Sequence, residues 1–333
     1  MKRWKKVALG VVGAAVAVPL CAMAAVRMKP LAVSPLWTER VEVTPERVAR
    51  GRYLAEHVAV CADCHSRRDW STFAAPIIRG TYGGGGERFG HEIGFPGEVT
   101  SANITAHPEH GVGRWSDGEL VRAIREGVDR EGRPLAPIMP YTHYRSMGDD
   151  DVRAVVAWVR SIPAMATAQP ESTLDFPLSL IVRTIPQPAG PARDGHVATP
   201  SPAVDVAYGA YLTNIGGCSE CHTPSERGQP IAGREFAGGQ EFRLPTHTVR
   251  SANITPDATG IGGMSEDAFV ARFKSYLPPD GAVEVPPPAT TTVLRGNTVM
   301  PWRMYAGMTE GDLRAIYRYL RTVRPVRNAV PRG

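Results

Sequence analysis

The 333-residue sequence predicts a mainly α protein: two tandem copies of one small helical domain with long irregular loops, placed after an N-terminal transmembrane or signal helix. Three observations carry that prediction. They are an uncharged run of 20 residues behind a basic start, sequence blocks that recur in the same order, and apolar residues at helical spacing within each recurrence. With 43% hydrophobic residues the chain has apolar material for about two cores, and its composition lies outside the disordered and collagen-like classes.

The first element is the leader. Lys2, Arg3, Lys5 and Lys6 precede the uncharged stretch Val7 to Val26, long enough as a helix to cross roughly 30 Å of hydrocarbon. Residues 1–29 therefore read as a signal-anchor or, since Ala22-Met23-Ala24 offers small residues at the right alternation, as a cleaved signal peptide. Either reading leaves the basic end in the cytoplasm and exports the chain from residue 30 onward. Leu20 is too bulky for a lipoprotein processing site, so Cys21 reads as a small apolar helix residue. The same four basic residues supply most of the net charge of +5, leaving the exported part close to neutral. It has no basic stripe, which excludes a nucleic-acid binder.

The repeats follow. GRYLAEHVAVCADCHS from Gly51 answers GAYLTNIGGCSECHT from Gly209, and SANIT at Ser101 recurs at Ser251. GVGRWSDGEL from Gly111 answers GIGGMSEDAF from Gly260, and MPYTHYRSMGDDDVRAVVAWVRSI from Met139 answers MPWRMYAGMTEGDLRAIYRYLRTV from Met300. The units predicted are 45–165 and 202–327, joined by a Pro- and Ala-rich linker over 166–200 whose prolines make it semi-rigid. Apolar spacing puts helices over 47–60, 116–127 and 149–161 in the first unit, and over 204–215, 265–275 and 309–322 in the second. Ser116 with Glu119 forms a capping box, and Thr309 with Asp312 a looser version of it. Between these helices the chain is rich in Gly and Pro, as in YGGGGERFG from Tyr82. Such a unit has a thin core, so something other than protein is expected to fill its centre.

The cysteines supply the candidate. Cys61-Ala62-Asp63-Cys64-His65 and Cys218-Ser219-Glu220-Cys221-His222 are both Cys-x-x-Cys-His, the pattern of covalent c-type haem attachment. Two thiols three positions apart on a helical turn can form thioethers to the two vinyl groups of one porphyrin. The adjacent histidine then lies under the iron as proximal ligand. A thioredoxin-like redox pair would need a βαβ context that these helical surroundings lack. A four-cysteine zinc site would have to draw the repeats together and would leave both histidines without a role. Two covalently bound haem c groups are thus the expected cofactors, with His65 and His222 as iron ligands.

A thioether sulfur as sixth ligand raises an iron potential relative to a second imidazole. Met139 lies 74 residues after His65 and Met300 lies 78 after His222, each in a Met-Pro step whose proline stiffens the presenting loop. Met147 and Met308 also correspond between repeats but sit beside helix starts, where they read as packing residues. Met304 answers His143, so neither is a shared ligand. His57 has no histidine counterpart, and His91, His107, His110, His196 and His247 lie in polar loops. The glycine run lacks a phosphate-loop ending and reads as a close backbone approach to the haem edge or the partner unit, or as an ordinary mobile loop. Tyr53, Tyr211, Trp115, Tyr141 and Trp302 are candidates for contact with the haem or for core packing.

The blocks SANITPDATGIGGMSEDAF and PIMPYTHYRSMGDDDVRAVVAWVRS resemble the multihaem cytochrome c subunits that accompany membrane-bound alcohol and aldehyde dehydrogenases, and related diheme cytochromes. The likeness spans about residues 45–325. It implies that each unit is a class I cytochrome c domain, that the Met of the Met-Pro step is the distal ligand, and that electrons pass from a catalytic subunit toward quinone or a terminal oxidase. Carried over, this gives His65 with Met139 and His222 with Met300. Many members hold a third haem unit, whereas this sequence holds two.

The expected function is electron carriage by a diheme c-type cytochrome on the periplasmic side of the bacterial inner membrane, anchored by the N-terminal helix or soluble in the periplasm. The expected partners are a dehydrogenase or other oxidoreductase subunit and a quinone-linked or oxidase-linked acceptor of the respiratory chain. Fixing both axial positions leaves no open coordination site, so no catalytic residues are expected. The alternative is a diheme enzyme, a peroxidase or thiosulfate-oxidising cytochrome, in which one haem would lack a fixed distal ligand. A purely structural subunit would leave the duplicated Met-Pro block unexplained.

Overall fold

The computed structural model describes residues 2–190, 194–202, 205–226 and 228–331. The leader is one helix, α1 (Lys2–Met28), with Pro19 inside it. Among the described residues no helix is long and apolar enough to cross a membrane. This corrects the expected transmembrane anchor and the membrane partnership that depended on it. Pro19 lies within the uncharged run and removes one rung of its hydrogen-bond ladder. The side chains of Lys2, Arg3, Lys5 and Lys6, on which the expected orientation rested, lie outside the described residues.

In the first repeat, α2 (Pro45–Tyr53) starts at Thr44, whose side chain accepts from the Arg47 N–H, and runs on as a π turn over Leu54–Val58. Then come α3 (Cys61–Cys64), β1 (Ile77–Ile78), and an antiparallel pair, β2 (Arg88–Phe89) and β3 (Gly97–Thr100). Helix α4 (Asp117–Glu126) has the full capping box of Ser116 and Glu119, and Gly127 closes it in the left-handed region. Helices α5 (Tyr141–Tyr144) and α6 (Asp149–Ser161) complete the unit. The predicted linker carries β4 (Thr173–Leu174), which pairs with β3, and the single turn α7 (Leu178–Ile181). It also donates Ala189 N–H to Glu126 and accepts from Asp149 N–H at Val197, so it is pinned to the first repeat. Residues 191–193 of that linker lie outside the described residues.

The second repeat runs through α8 (Asp205–Ile215), α9 (Cys218–His222), the short ladders β5 (Ser225–Glu226) with β6 (Gln229–Pro230) and β7 (Glu241–Leu244) with β8 (His247–Arg250), then α10 (Glu266–Lys274). Strand β9 (Glu284–Val285) pairs in parallel with β1 of the first repeat, and α11 (Trp302–Ala306) and α12 (Glu310–Leu320) end the unit. The side chain of Thr309 accepts from the Asp312 N–H, as the looser capping pattern predicts.

Each repeat is organised by one crossing of its first and last long helices. A Cβ added at Gly51 would sit 1.8 Å from the Ala154 carbonyl oxygen, and one at Gly209 would sit 1.9 Å from that of Ala315. Only glycine lets these backbones meet, which is why each repeat opens on Gly-x-Tyr-Leu. The extra residue between Gly51 and Cys61, compared with Gly209 and Cys218, is absorbed by the π turn.

The two repeats do not stand apart as two tandem class I cytochrome c domains. Leu54, Val58 and Trp158 of the first share one hydrophobic cluster with Leu212, Ile215 and Leu313 of the second. The contacts across the seam are reciprocal. Tyr53 donates to Asp312 and accepts from Thr309 N–H, while Tyr211 donates to Asp151 and accepts from Gly148 N–H. The His57 Nδ1–H donates to the Met304 carbonyl at 2.8 Å, and Asn214, in the matching place, donates to the His143 carbonyl at 3.1 Å. Equivalent groups meeting in both senses give the pseudo-two-fold arrangement of an isologous dimer within one chain. The correction has a simple cause: Leu54 and Val58 of the π turn and Leu212 and Ile215 of α8 are apolar, and they are buried in one cluster drawn from both repeats.

Gly209→Ala should therefore destabilise the protein by about 1–3 kcal/mol through overpacking. Gly263→Ala, where an added Cβ meets nothing within 4 Å, should be near neutral. Denaturant unfolding of both variants checks the contrast, and equal stabilities would contradict the crossing.

Candidate haem-attachment sites

Both Cys-x-x-Cys-His turns begin from a left-handed residue, Val60 (φ 46°) in the first repeat and Gly217 (φ 64°) in the second. Glycine adopts this freely, whereas a β-branched valine does not. The π turn holds Val60 there, with the Ala59 N–H donating to the Leu54 carbonyl at 2.7 Å. All four cysteines of the turns are free thiols. Burial first, and the neighbouring thiol second, push Cys61 and Cys218 up to about 12. Burial likewise takes Cys64 to about 12 and Cys221 to about 11. A dithiol redox pair requires the opposite shift, toward the thiolate. Among the described residues no three His, Cys, Asp or Glu side chains converge as a metal donor set, so the four-cysteine zinc reading gains no support.

The histidines are fixed alike in the two repeats. His65 Nδ1 lies 2.8 Å from the Ala102 carbonyl oxygen, and His222 Nδ1 lies 2.7 Å from that of Ala252. A carbonyl only accepts, so Nδ1 carries the proton and Nε2 keeps its lone pair. Burial lowers both histidine pKa values, which favours the neutral, ligating imidazole. The two accepting carbonyls belong to the SANIT blocks, which gives that motif its role. Asn103 Oδ1 accepts from Thr105 N–H at 2.9 Å, and Asn253 Oδ1 accepts from Thr255 N–H at 2.9 Å, closing the same turn twice. The glycine run lies beneath it. Gly85 (φ +71°) donates its N–H to the His65 carbonyl, and an added Cβ would meet the Ser101 carbonyl oxygen at 2.4 Å.

The Met-Pro steps also correspond. The carbonyls of Met139 and Met300 each accept a backbone N–H two residues on, at 2.8 Å in both cases. Both side chains are half-buried, whereas Met147 and Met308 are wholly enclosed, at 0% and 2% exposure. The short helix after each step is tied back to the cysteine turn. Tyr144 donates to the Ala59 carbonyl at 2.7 Å, and Tyr305 to the Gly216 carbonyl at 2.8 Å. Each accepting residue lies two places before the first cysteine, so these tyrosines couple the methionine loop to the thiol turn.

The two turns lie near the seam, with Cys221 within electrostatic reach of Cys64. His143, next to the first Met-Pro loop, reaches Glu220 of the second turn at 2.6 Å. Burial alone would lower the His143 pKa, but its bonds to Glu220 and Asn214 raise it. Tyr53 and Tyr211, candidates for haem contact in the sequence, instead make the reciprocal bonds of the seam. The sequence reading passed over Tyr144, Tyr305 and the alanine carbonyls. The tyrosines were detectable from their shared place five residues after each Met, whereas a backbone acceptor leaves no trace in residue type.

The residues fit a covalently held haem in each repeat. Each site offers two unpaired thiols on one turn, an imidazole with Nε2 free, and a thioether on a loop braced to that turn. Tyr141 follows the first Met-Pro step with a fully enclosed hydroxyl that has no protein partner, as a polar cofactor group nearby would require.

No protein-family model matches the chain. It is 29% identical over 300 residues to the cytochrome c subunit of the quinone alcohol dehydrogenase of Gluconobacter oxydans, covering 86% of this chain and 56% of that subunit. The gluconate 2-dehydrogenase cytochrome c subunit of Pantoea cypripedii is 28% identical, with 83% and 59% covered. A diheme c-type cytochrome of Cereibacter sphaeroides is 30% identical over 239 residues, covering 66% of this chain and 77% of the relative. The chain thus spans little more than half the length of the dehydrogenase subunits it matches. It belongs to the diheme c-type cytochromes.

Tyr144→Phe and Tyr305→Phe should each strand a buried carbonyl and cost about 1–3 kcal/mol. Denaturant unfolding of each variant beside the parent measures this, and unchanged midpoints would remove the tyrosines from the scaffold.

Proposed function

We propose that this chain carries electrons as a diheme c-type cytochrome of the periplasm, between a dehydrogenase or related oxidoreductase and the respiratory chain. In this reading Cys61 and Cys64 hold one haem c with His65 and Met139 on its iron, and Cys218 and Cys221 hold the other with His222 and Met300. The observation that carries it is the duplicated histidine geometry: the same ring nitrogen held by the same block's carbonyl in both repeats, with the other nitrogen presented. When bound, each haem supplies a one-electron ferrous/ferric couple.

The chain's part is to hold the ligands still and keep water away. The carbonyls of Ala102 and Ala252 orient the imidazoles, Tyr144 and Tyr305 brace the methionine loops, and the shared hydrophobic cluster lowers the local dielectric. Ligands that stay fixed in both oxidation states keep reorganisation small, which suits transfer without bond making. Cysteine turns close enough to interact electrostatically favour exchange between the two sites within one chain. The matching construction of both Met-Pro loops supports a carrier over an enzyme, which would need one site built differently. The dehydrogenase partner rests on the names of the relatives, and the periplasmic location on the exported class of c-type cytochromes together with the basic leader.

The purified protein should contain two haems per chain, give two low-spin His/Met signals in optical and paramagnetic spectra, and turn over neither peroxide nor thiosulfate. Replacing Cys61 and Cys64 with Ala should halve the haem count, and Met139→Ala should convert one haem to a high-spin form. A high-spin ferric haem in the parent, or turnover of either substrate, would favour a diheme enzyme.

A further inference from the structure

The repeats differ in charge at one matched position beside the cysteine turns. Gly85 and Gly238 both donate N–H to the carbonyl of the histidine in their turn, at 2.8 and 2.7 Å, which fixes the register of the two loops. Two residues on stand Glu87 and Gln240. Each donates its backbone N–H to the serine of its SANIT block, Ser101 at 2.9 Å and Ser251 at 3.1 Å. Each side chain accepts a backbone N–H from the third residue after the histidine, Arg68 at 3.1 Å and Ser225 at 2.9 Å. The fold thus holds a carboxylate in one repeat where it holds an isosteric neutral amide in the other.

The carboxylate is enclosed. Glu87 and Arg68 side chains are each 9% exposed, and Arg68 bridges Glu87 and Asp63 at 3.0 Å to both. Trp70 Nε1–H donates to Glu87 at 2.8 Å. One guanidinium between two ionised carboxylates leaves one negative charge, largely shielded from water and within electrostatic reach of Cys64. The second repeat has no counterpart to Arg68, and the acid in its turn, Glu220, is 59% exposed and paired with His143. Screening by water makes an exposed pair weaker than an enclosed charge.

We infer that the Glu87/Gln240 difference sets the order of the two redox potentials, placing the first site below the second, so that electrons run from the Cys61–His65 site to the Cys218–His222 site. A ferric haem carries one positive charge more than a ferrous one, so a fixed negative charge favours the ferric state and lowers the potential. Glu87 acts through the field and through the loop it anchors, and is a positioning residue. This inference rests on the haem reading above.

The test is a potentiometric titration of the haem-loaded protein, followed optically, after its haem content has been counted. The parent should titrate in two steps. Glu87→Gln, which reproduces the bond that Gln240 makes, should shift the lower step upward and leave the upper one in place. Gln240→Glu should shift the upper step downward and leave the lower one in place, and it keeps the test open if Glu87→Gln binds haem poorly. Two haems with both steps unmoved in both variants, or Glu87→Gln moving the upper step, would overturn the inference while leaving the haem reading intact. A count below two haems per parent chain would overturn the haem reading and this inference with it.

Discussion

The fold depends on a shortage of apolar surface within each repeat. A unit of three main helices, threaded by glycine- and proline-rich loops, cannot close a core by itself, and the π turn after α2 packs on α11 while α8 packs on α5, so that both repeats fill one cluster. Once they meet, the reciprocal tyrosine–aspartate and imidazole/amide–carbonyl bonds satisfy the polar groups that the seam buries. Asp151 is 3% exposed, a burial tolerable only because Tyr211 and Arg50 both donate to it. The same contact brings the two cysteine turns within electrostatic reach of each other, so the arrangement that completes the core also sets their separation.

The pseudo-symmetry is incomplete in ways that have local causes. One extra residue before Cys61 becomes a π turn, and that turn holds Val60 in a conformation that Gly217 takes without help. The segment between α10 and Met300 also departs from its counterpart. It crosses to the first repeat, where β9 pairs with β1 and Asn297 donates to the Trp70 and Thr72 carbonyls at 2.8 and 3.0 Å. Enclosed at 2% exposure, Asn297 locks the loop that leads to one methionine against the framework of the other site. The loop after His65 and the loop before Met300 are therefore one structural unit, although they lie more than two hundred positions apart in sequence.

Much of the site was legible because its chemistry is tied to residue type. Cys-x-x-Cys-His must be contiguous to serve one porphyrin, and the capping signals at Ser116 and Thr309 act over three residues, so both can be read along the chain. The repeats narrowed ten methionines to two matched pairs, Met139 with Met300 and Met147 with Met308, and the Met-Pro step singles out the first pair as candidate ligands. The leader was read as a spanning helix from its length and lack of charge, while the described residues contain no helix that qualifies. Tyr53 and Tyr211 were visible as a pair, but their seam role was not, because their acceptors lie in the opposite repeat.

The sequence by itself determined which residues are candidates to bind a haem, that they come as two equivalent sets, and where the main helices start and stop. Those are local matters of spacing, capping and periodicity. Only the tertiary structure decided that the two sets share one core, that SANIT supplies the carbonyls holding the histidines, and that Glu87 and Gln240 occupy one position with different charge. Each of these depends on backbone groups and on partners distant in sequence. A carbonyl is the same in every residue, so only the fold can say which one a side chain will meet.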